Sequence, residues 1–135
     1  MFKDTKTATK RIKAQIKSIG NRNKTLRTMI QSTLCELSAF VYEHGNATMF
    51  TDLIDEVKGQ DRKAMIDWIE KYGFAKIRPD GTFGTNKSMR DNAEFTDGQA
   101  VYDEYTHEDT DVKAWFDFVK SPKQIAKDMT LDQMI

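Results

Sequence analysis

The chain has 135 residues, 39% of them hydrophobic, and its 21 basic and 21 acidic side chains cancel at pH 7. The charge is nevertheless polarised, because residues 1–30 carry nine Lys/Arg against one Asp (net +8) and residues 91–135 carry four Lys against eleven Asp/Glu (net −7). This length fits one domain. The lone cysteine excludes a disulfide scaffold, and the absence of a long apolar run excludes a membrane span. Because no leader sequence is recognisable either, we expect a cytoplasmic protein.

The first predicted element is a basic amphipathic helix within residues 1–24. Ile12, Ile16 and Ile19 share one face of it, and basic side chains cover the remaining faces. A helix of this kind suits the backbone of a nucleic acid, because each neutralised phosphate releases counterions. It could equally be a solvated helix, dock on an acidic protein surface, or fold back on the acidic end of its own chain.

Three helices are predicted next. Apolar side chains recur at steps of three and four residues over 25–44, 48–57 and 61–72, which is typical of helices that bury one stripe. Thr48 and Asp61 are residue types that cap helix N-termini, and they stand where the second and third helices begin. Glycines follow the first and third helices, where a chain commonly leaves the helical conformation.

A short β-hairpin follows the third helix. Residues 74–78 and 82–84 flank the turn sequence Pro-Asp-Gly, which predicts two antiparallel strands with Ile77 and Phe83 facing the core. Three helices and then a hairpin is the element order of a winged helix-turn-helix domain, with the third helix as recognition helix and the hairpin as wing. We therefore expect a mainly α protein with a small hairpin and a winged-helix-like core, although a plain three-helix bundle would give nearly the same pattern.

The C-terminal part is acidic and contains aromatic residues. Residues 91–111 show little apolar periodicity and predict loop or extended chain, residues 115–118 predict a short helix, and Ser121 and Pro122 predict the start of a last helix. Such a segment can imitate a nucleic-acid backbone or occupy a basic groove, or its aromatic side chains can anchor it to the core. The predicted organisation is an N-terminal helix, a core and an extension, at residues 1–24, 25–88 and 89–135.

Catalytic and metal-binding chemistry has little support. Four residues have the spacing of one helix face and side chains that can ligate a transition metal: Glu104, His107, Glu108 and Asp111. They lie in a stretch predicted to be irregular, so we predict no metal site. Asp80, Asp111 and Lys113 have the residue types of a nuclease site, but that site needs its acids on adjacent strands, and the second element is predicted to be helical.

The remaining reactive side chains also favour structural roles. Cys35 lies beside an apolar stripe and is predicted to be a small core residue. His44 stands near the end of the first long helix, where a cation is favoured by the helix dipole. No phosphate-binding glycine loop and no nucleophile-histidine arrangement is present. We therefore predict a protein that is not an enzyme and that has no cofactor.

Several segments resemble a loosely defined family of small uncharacterised bacteriophage proteins with a winged-helix-like core. They are residues 40–46 (FVYEHGN), the helical pair at 50–57 and 61–72 with Trp68, and the aromatic sequence WFDF at 115–118. The resemblance spans residues 25–120. It implies a phage-encoded protein that is made in the host cytoplasm, and it implies no activity.

The preferred functional hypothesis is a non-catalytic nucleic-acid-binding or regulatory protein that holds the backbone mainly through its basic N-terminus. The predicted contacts are Lys10, Arg11, Lys13, Lys17, Arg22, Lys24 and Arg27, with Lys76, Arg78 and Lys87 around the hairpin. The third helix mixes basic and acidic side chains, whereas a dedicated DNA reader presents a cleaner basic face. This favours backbone contact over sequence-specific readout.

The alternative hypothesis is an effector that binds and inhibits a host enzyme or defence complex. Large aromatic side chains concentrate interface energy, and the predicted contact residues are Phe95, Tyr102, Tyr105 and Trp115. Because the two ends of the chain have opposite charge, a homo-oligomer formed by pairing head to tail is a third possibility.

Overall fold

The structure is a computed structural model that describes residues 2–20, 26–57 and 61–118. It is mainly helical, with one two-stranded antiparallel sheet. The elements in chain order are α1 (Thr5–Gly20), α2 (Leu26–His44), α3 (Thr48–Glu56), α4 (Arg62–Tyr72), β1 (Ala75–Ile77), β2 (Phe83–Thr85), α5 (Lys87–Asn92), α6 (Gly98–Thr106) and a 3-10 helix (Trp115–Phe118).

Helix α2 is the centre of the fold. Its stripe of buried side chains includes Ile30, Leu34, Leu37 and Phe40. Helices α1 and α6 pack along it, and α3 and α4 contact it as well as each other. Since α2 is covered from several directions, ten of its residues are buried, and this explains why its apolar pattern is the clearest in the sequence.

The predicted helix starts are confirmed for α4 and corrected for α3. Asp61 caps α4, because its side chain accepts a hydrogen bond from the backbone N–H of Ala64 at 2.9 Å. In α3 the N-cap is Ala47, and Thr48 is the first helical residue. The side chain of Asn46 accepts from the Thr48 N–H at 3.0 Å, so the residue that stabilises this helix start lies two positions before the predicted one.

The hairpin forms where it is predicted. Ile77 pairs with Phe83 and Ala75 with Thr85. The first strand is therefore two residues shorter than the predicted range 74–78. The second strand begins and ends one residue later than the predicted range 82–84. Phe83 is buried and Ile77 is partly buried. Gly81 in the connecting turn has φ +88°, a conformation that glycine adopts without steric penalty.

The prediction of irregular structure over residues 91–111 is wrong, because α6 lies within them. Asp97 caps α6 by accepting from the N–H of Ala100 at 3.0 Å, and Val101 is buried against α2. Gly98 permits this packing, since a Cβ there would lie 2.6 Å from the carbonyl oxygen of Ala39. Helix α6 thus depends on tertiary contacts more than on its own apolar pattern. The predicted helix from residue 121 lies outside the described residues.

Candidate nucleic-acid interface

Helix α1 is part of the fold and not a solvated arm. Its apolar face buries Ala8, Ile12 and Ile16, and α1 packs on α2 and α3. Phe2, just before α1, is also buried. The side-chain amide of Gln15 donates to the hydroxyl of Thr33 on α2 at 2.7 Å. The basic helix is therefore held at a fixed place on the body, and the core continues across the predicted boundary after residue 24. The side chain of Ile19 lies outside the described residues.

The start of α1 is also tied to the end of α2. The imidazole of His44 contacts the carbonyl oxygen of Phe2 and lies 3.0 Å from the hydroxyl of Thr5. Its ring packs on Phe40 with the ring centroids 4.8 Å apart. His44 is the basic residue in the last turn of α2, as predicted, and its side chain also links this turn to the start of α1.

The exposed face of α1 carries a line of four lysines, which we call the lysine row: Lys6, Lys10, Lys13 and Lys17. Their spacing of i, i+4, i+7 and i+11 places them on one narrow stripe of the helix, away from the buried stripe. At 1.5 Å per residue the row spans about 16 Å. Across residues 2–20, 26–57 and 61–118, no carboxylate lies within 4.0 Å of any of these four ammonium groups.

Lys6 is absent from the predicted contacts, although its spacing from Lys10 could have identified it. The one acidic residue of residues 1–30, Asp4, precedes α1 and forms no described ion pair with the row. Asp4 accepts a hydrogen bond at 2.7 Å from the hydroxyl of Thr7. This bond lowers the pKa of the Asp4 carboxyl, which favours its negative charge beside the N-terminal end of the helix dipole.

Arg11, which is also a predicted phosphate contact, lies off the row and is paired with an acid on α2. Its Nη1 donates to Oε1 of Glu36 at 2.6 Å, and its guanidinium lies 5.6 Å from the centre of the Phe2 ring. The Glu36 residue is only 5% exposed. The charge of Arg11 is therefore used inside the interface between α1 and α2, where it neutralises a buried carboxylate.

The other predicted basic contacts are spread over the surface. Arg27 is exposed, with its guanidinium 5.6 Å from the centre of the Phe116 ring. Lys76, Arg78 and Lys87 are exposed on and after the hairpin. Arg78 lies across the backbone of Gly84, where an added Cβ would be 2.7 Å from the guanidinium. Arg22 and Lys24 lie outside the described residues.

Helix α4, the predicted recognition helix, offers no comparable face. Lys63 pairs with Asp67 at 2.6 Å, one turn away on the same helix. Glu70 and Lys71 are both exposed, so positive and negative side chains alternate on the surface of α4. Among the helices that the structure describes, α1 presents the row of positive charge with fewest acidic neighbours.

The four aromatic residues of the predicted contact surface differ in burial. Tyr105 and Trp115 are buried: the Tyr105 hydroxyl donates to the carbonyl of Tyr72 at 2.8 Å, and the Trp115 indole donates to the carbonyl of Arg27 at 3.0 Å. These side chains anchor the acidic segment to the core, which is the other possibility raised by the sequence. Phe95 and Tyr102 are partly buried.

The basic N-terminal segment and the acidic C-terminal segment meet at one ion pair among the described residues. Lys3 lies 3.8 Å from Asp97, and the Lys3 side chain is 79% exposed, so this pair adds little to stability. Beside it the rings of Phe2 and Tyr102 pack with centroids 5.8 Å apart. The acidic side chains after this point, on α6 and in the following loop, are exposed at Asp103, Glu104, Glu108, Asp109 and Asp111.

The histidine in this acidic stretch forms no metal site in the described part of the chain. His107 lies 3.4 Å from Glu104, but helix α6 ends at Thr106, so the later acids leave the helical spacing. No group of three or more possible ligands occurs among the described residues. Cys35 is buried, and burial raises the pKa of its thiol to about 12, so it stays protonated as a core residue would.

Comparisons with known proteins and a test for membrane spans add no assignment. The chain matches no protein-family model, no curated protein and no solved structure. Within the described ranges, no helix combines the length and the hydropathy needed to cross a membrane. The resemblance to phage proteins therefore stays a prediction, and the geometry of α1 carries the functional argument.

Proposed function

We propose that this protein is a non-catalytic nucleic-acid-binding protein that holds the phosphate backbone through the lysine row of α1. The observation that supports this proposal is the row itself: four exposed lysines in line, on a helix docked to the core, with no described carboxylate in ion-pair range. Charges held on a rigid element are placed before the ligand arrives, so less entropy is lost on binding.

The dimensions of the row fit a nucleic-acid strand. Phosphates repeat about every 3.4 Å along the axis for each strand of DNA. A row about 16 Å long therefore runs beside about five phosphates of one strand. Lysine side chains reach phosphates as flexible point charges and carry no base-reading geometry. This favours binding that is general in sequence and strongly dependent on salt.

The order of the elements supports a winged-helix-like arrangement of the core. Helices α2, α3 and α4 contact one another, the hairpin follows α4, and β2 packs on α3. In that arrangement Lys76 and Arg78 stand on the wing and supply a second, smaller backbone contact. The mixed charge of α4 makes base readout by this helix a minor contribution. From the sequence resemblance we further infer a phage-encoded protein that acts in the host cytoplasm.

The effector alternative has less support. Two of its four proposed contact residues, Tyr105 and Trp115, are buried, and large aromatic side chains are the residues that would anchor such an interface. Only the exposed acidic side chains of the C-terminal segment then remain as a contact surface for the effector. Exposed charges raise the rate of association more than they raise the affinity.

The experiment compares two variants that remove the same charge from different places. K10Q/K13Q shortens the lysine row at its centre, and K71Q/K113Q removes two exposed lysines from α4 and the late loop. Binding to a fluorescein-labelled single strand and duplex of DNA and RNA is measured by anisotropy at low salt. Deleting residues 1–24 is unsuitable, because it would remove the buried Phe2, Ile12 and Ile16 and expose the core.

We expect K10Q/K13Q to weaken binding about tenfold or more, because two phosphates lose their counter-charge. K71Q/K113Q should stay within about threefold of the unmodified chain, since it keeps the row and has the same net charge as the first variant. Equal losses in the two variants would mean that total charge and not the row drives binding, and absence of binding at low salt would refute the proposal.

A further inference from the structure

A second charged surface lies on the outer side of α6 and the loop that follows it, and we call it the acidic face. It consists of five exposed carboxylates: Asp103, Glu104, Glu108, Asp109 and Asp111. Residues 103–111 contain no Lys or Arg. Among the residues that the structure describes, only Glu104 of the five has an ion-pair partner within 4.0 Å, namely His107 at 3.4 Å. The acidic face is therefore not neutralised by the described part of its own chain.

The lysine row and the acidic face of one molecule point in different directions. The guanidinium of Arg11 lies over the ring of Phe2, and this ring packs on Tyr102 of α6. Arg11 thus marks the flank of α1 that lies towards α6. Each residue turns an α-helix by about 100°, so the row is centred about 130° away from Arg11. The ion pair between Lys3 and Asp97 belongs to neither surface. Covering either surface therefore requires a second molecule.

The two surfaces have similar lengths. The row spans about 16 Å. Residues 103–106 rise about 1.5 Å each, and the five further residues of the loop add at most about 17 Å, so the face extends over at most about 21 Å. The N–H of Thr110 donates to the carbonyl of His107 at 3.2 Å, so the loop turns and the face is shorter than this limit. Four positive charges can therefore lie opposite five negative charges.

We propose that the lysine row of one molecule docks on the acidic face of a second copy of this chain. Every copy carries both surfaces at equal concentration. The net charge of the chain at pH 7 is zero, so copies do not repel one another at long range. Because the two sides of the contact are different surfaces, the interface is heterologous, and a molecule can bind one neighbour through its row and another through its face.

Self-association of this kind would hide the row. A copy whose row is covered by a neighbour cannot hold a nucleic acid with the same lysines, so the acidic face would regulate the function proposed above. This consequence rests on that proposed function, whereas the self-association does not. The two can therefore be tested separately, with no nucleic acid in the sample.

The contact should be weak and dependent on salt. Exposed ion pairs contribute little individually, and salt screens them. The Debye length is about 30 Å at about 0.01 M salt and about 3 Å at about 1 M salt. We expect the row and the face together to give a Kd of about 0.1–1 mM at the lower salt concentration and no measurable association at the higher one.

The experiment is sedimentation velocity of the full chain at both salt concentrations, after nuclease treatment so that nucleic acid cannot link the copies. Three variants are compared with the unmodified chain: K10Q/K13Q in the row, D103N/E104Q in the face, and D55N/E56Q as the control. The control changes another exposed Asp-Glu pair near the end of a nine-residue helix, and it alters the net charge as D103N/E104Q does. All six positions are exposed, so the variants should stay folded.

We expect the average mass of the unmodified chain to rise with concentration at low salt and to stay that of a monomer at high salt. K10Q/K13Q and D103N/E104Q should each weaken the association about tenfold, and D55N/E56Q less than about twofold. An equimolar mixture of K10Q/K13Q and D103N/E104Q should associate with the affinity of the unmodified chain. It should stop at two chains, since only one intact row and one intact face meet.

Several results would overturn the inference. They are a monomer at about 1 mM protein in low salt, association that persists in high salt, equal weakening by D55N/E56Q and D103N/E104Q, and a mixture that associates no better than its components. Association that is seen only before nuclease treatment would also overturn it, because a nucleic acid and not a second copy would then cover the row. That last result would support the proposed function, so the two proposals can fail independently.

Discussion

The ion pair between Arg11 and Glu36 makes the most demanding prediction about how α1 is held. Removing the arginine charge with R11M leaves the carboxylate of Glu36 inside the interface between α1 and α2. Its Oε1 loses the bond of 2.6 Å, and its Oε2 already has no hydrogen-bond partner. Removing the carboxylate with E36M instead leaves the guanidinium, whose Nη2 is also buried without a hydrogen-bond partner but whose side chain is 34% exposed and so lies nearer to water than Glu36.

The two single substitutions should therefore have unequal effects. Breaking a buried pair by deleting one partner costs about 3–5 kcal/mol, and the partial exposure of Arg11 lowers this to about 2–3 kcal/mol for R11M. E36M should cost about 1 kcal/mol, because the remaining charge is partly exposed to water. The double variant R11M/E36M should cost about 1 kcal/mol or less, which gives a coupling energy of about 2–4 kcal/mol between the two side chains.

Urea unfolding of the unmodified chain, both single variants and the double variant, followed by far-UV circular dichroism, measures these energies. The linear dependence on urea should have the same slope in all four proteins if the folded states are alike. E36M as destabilising as R11M, or single-substitution effects that add within about 0.5 kcal/mol, would contradict this dependence of Glu36 on Arg11. Either result would mean that Glu36 is not a buried charge that depends on Arg11.

Two further predictions test the packing around α2. G98A should lower the free energy of unfolding by about 1–3 kcal/mol, because the added Cβ would lie 2.6 Å from the Ala39 carbonyl oxygen. The control Q99A should change the free energy of unfolding by less than about 0.5 kcal/mol. Equal urea midpoints for the two variants would contradict this packing. Cys35 in the folded protein should react with iodoacetamide at pH 8 about a thousandfold more slowly than Cys35 in the unfolded chain. Burial raises the pKa of the thiol from 9.0 to about 12, and the reactive thiolate becomes populated only as the pH rises towards that value. Equal reaction rates in buffer and in urea would show that the thiol is accessible.

The helices with strong local signals could be predicted from the sequence. Helix α2 buries residues on several sides, so its apolar spacing is unmistakable, and Asp61 caps α4 through a bond to a residue three positions on. The hairpin depends on its turn residues, which act locally as well. In each case the information lies within one or two turns of chain.

The features that could not be predicted depend on contacts between distant residues. Helix α6 is held by the close approach of Gly98 to Ala39 and by the burial of Val101, and an acidic background hides this short pattern. The role of Arg11 is set by Glu36, which is 25 residues away and on another helix. A basic side chain in a basic segment gives no local sign that it is paired.

The dependence of binding on salt tests the lysine row most directly. If four lysines each neutralise one phosphate, a plot of log K against log salt concentration for duplex DNA should have a slope of about −3.6. K10Q/K13Q should reduce the slope to about −1.8, whereas K71Q/K113Q should leave it unchanged. A slope near zero for the unmodified chain, or the same slope in both variants, would contradict the proposal that α1 holds the nucleic acid.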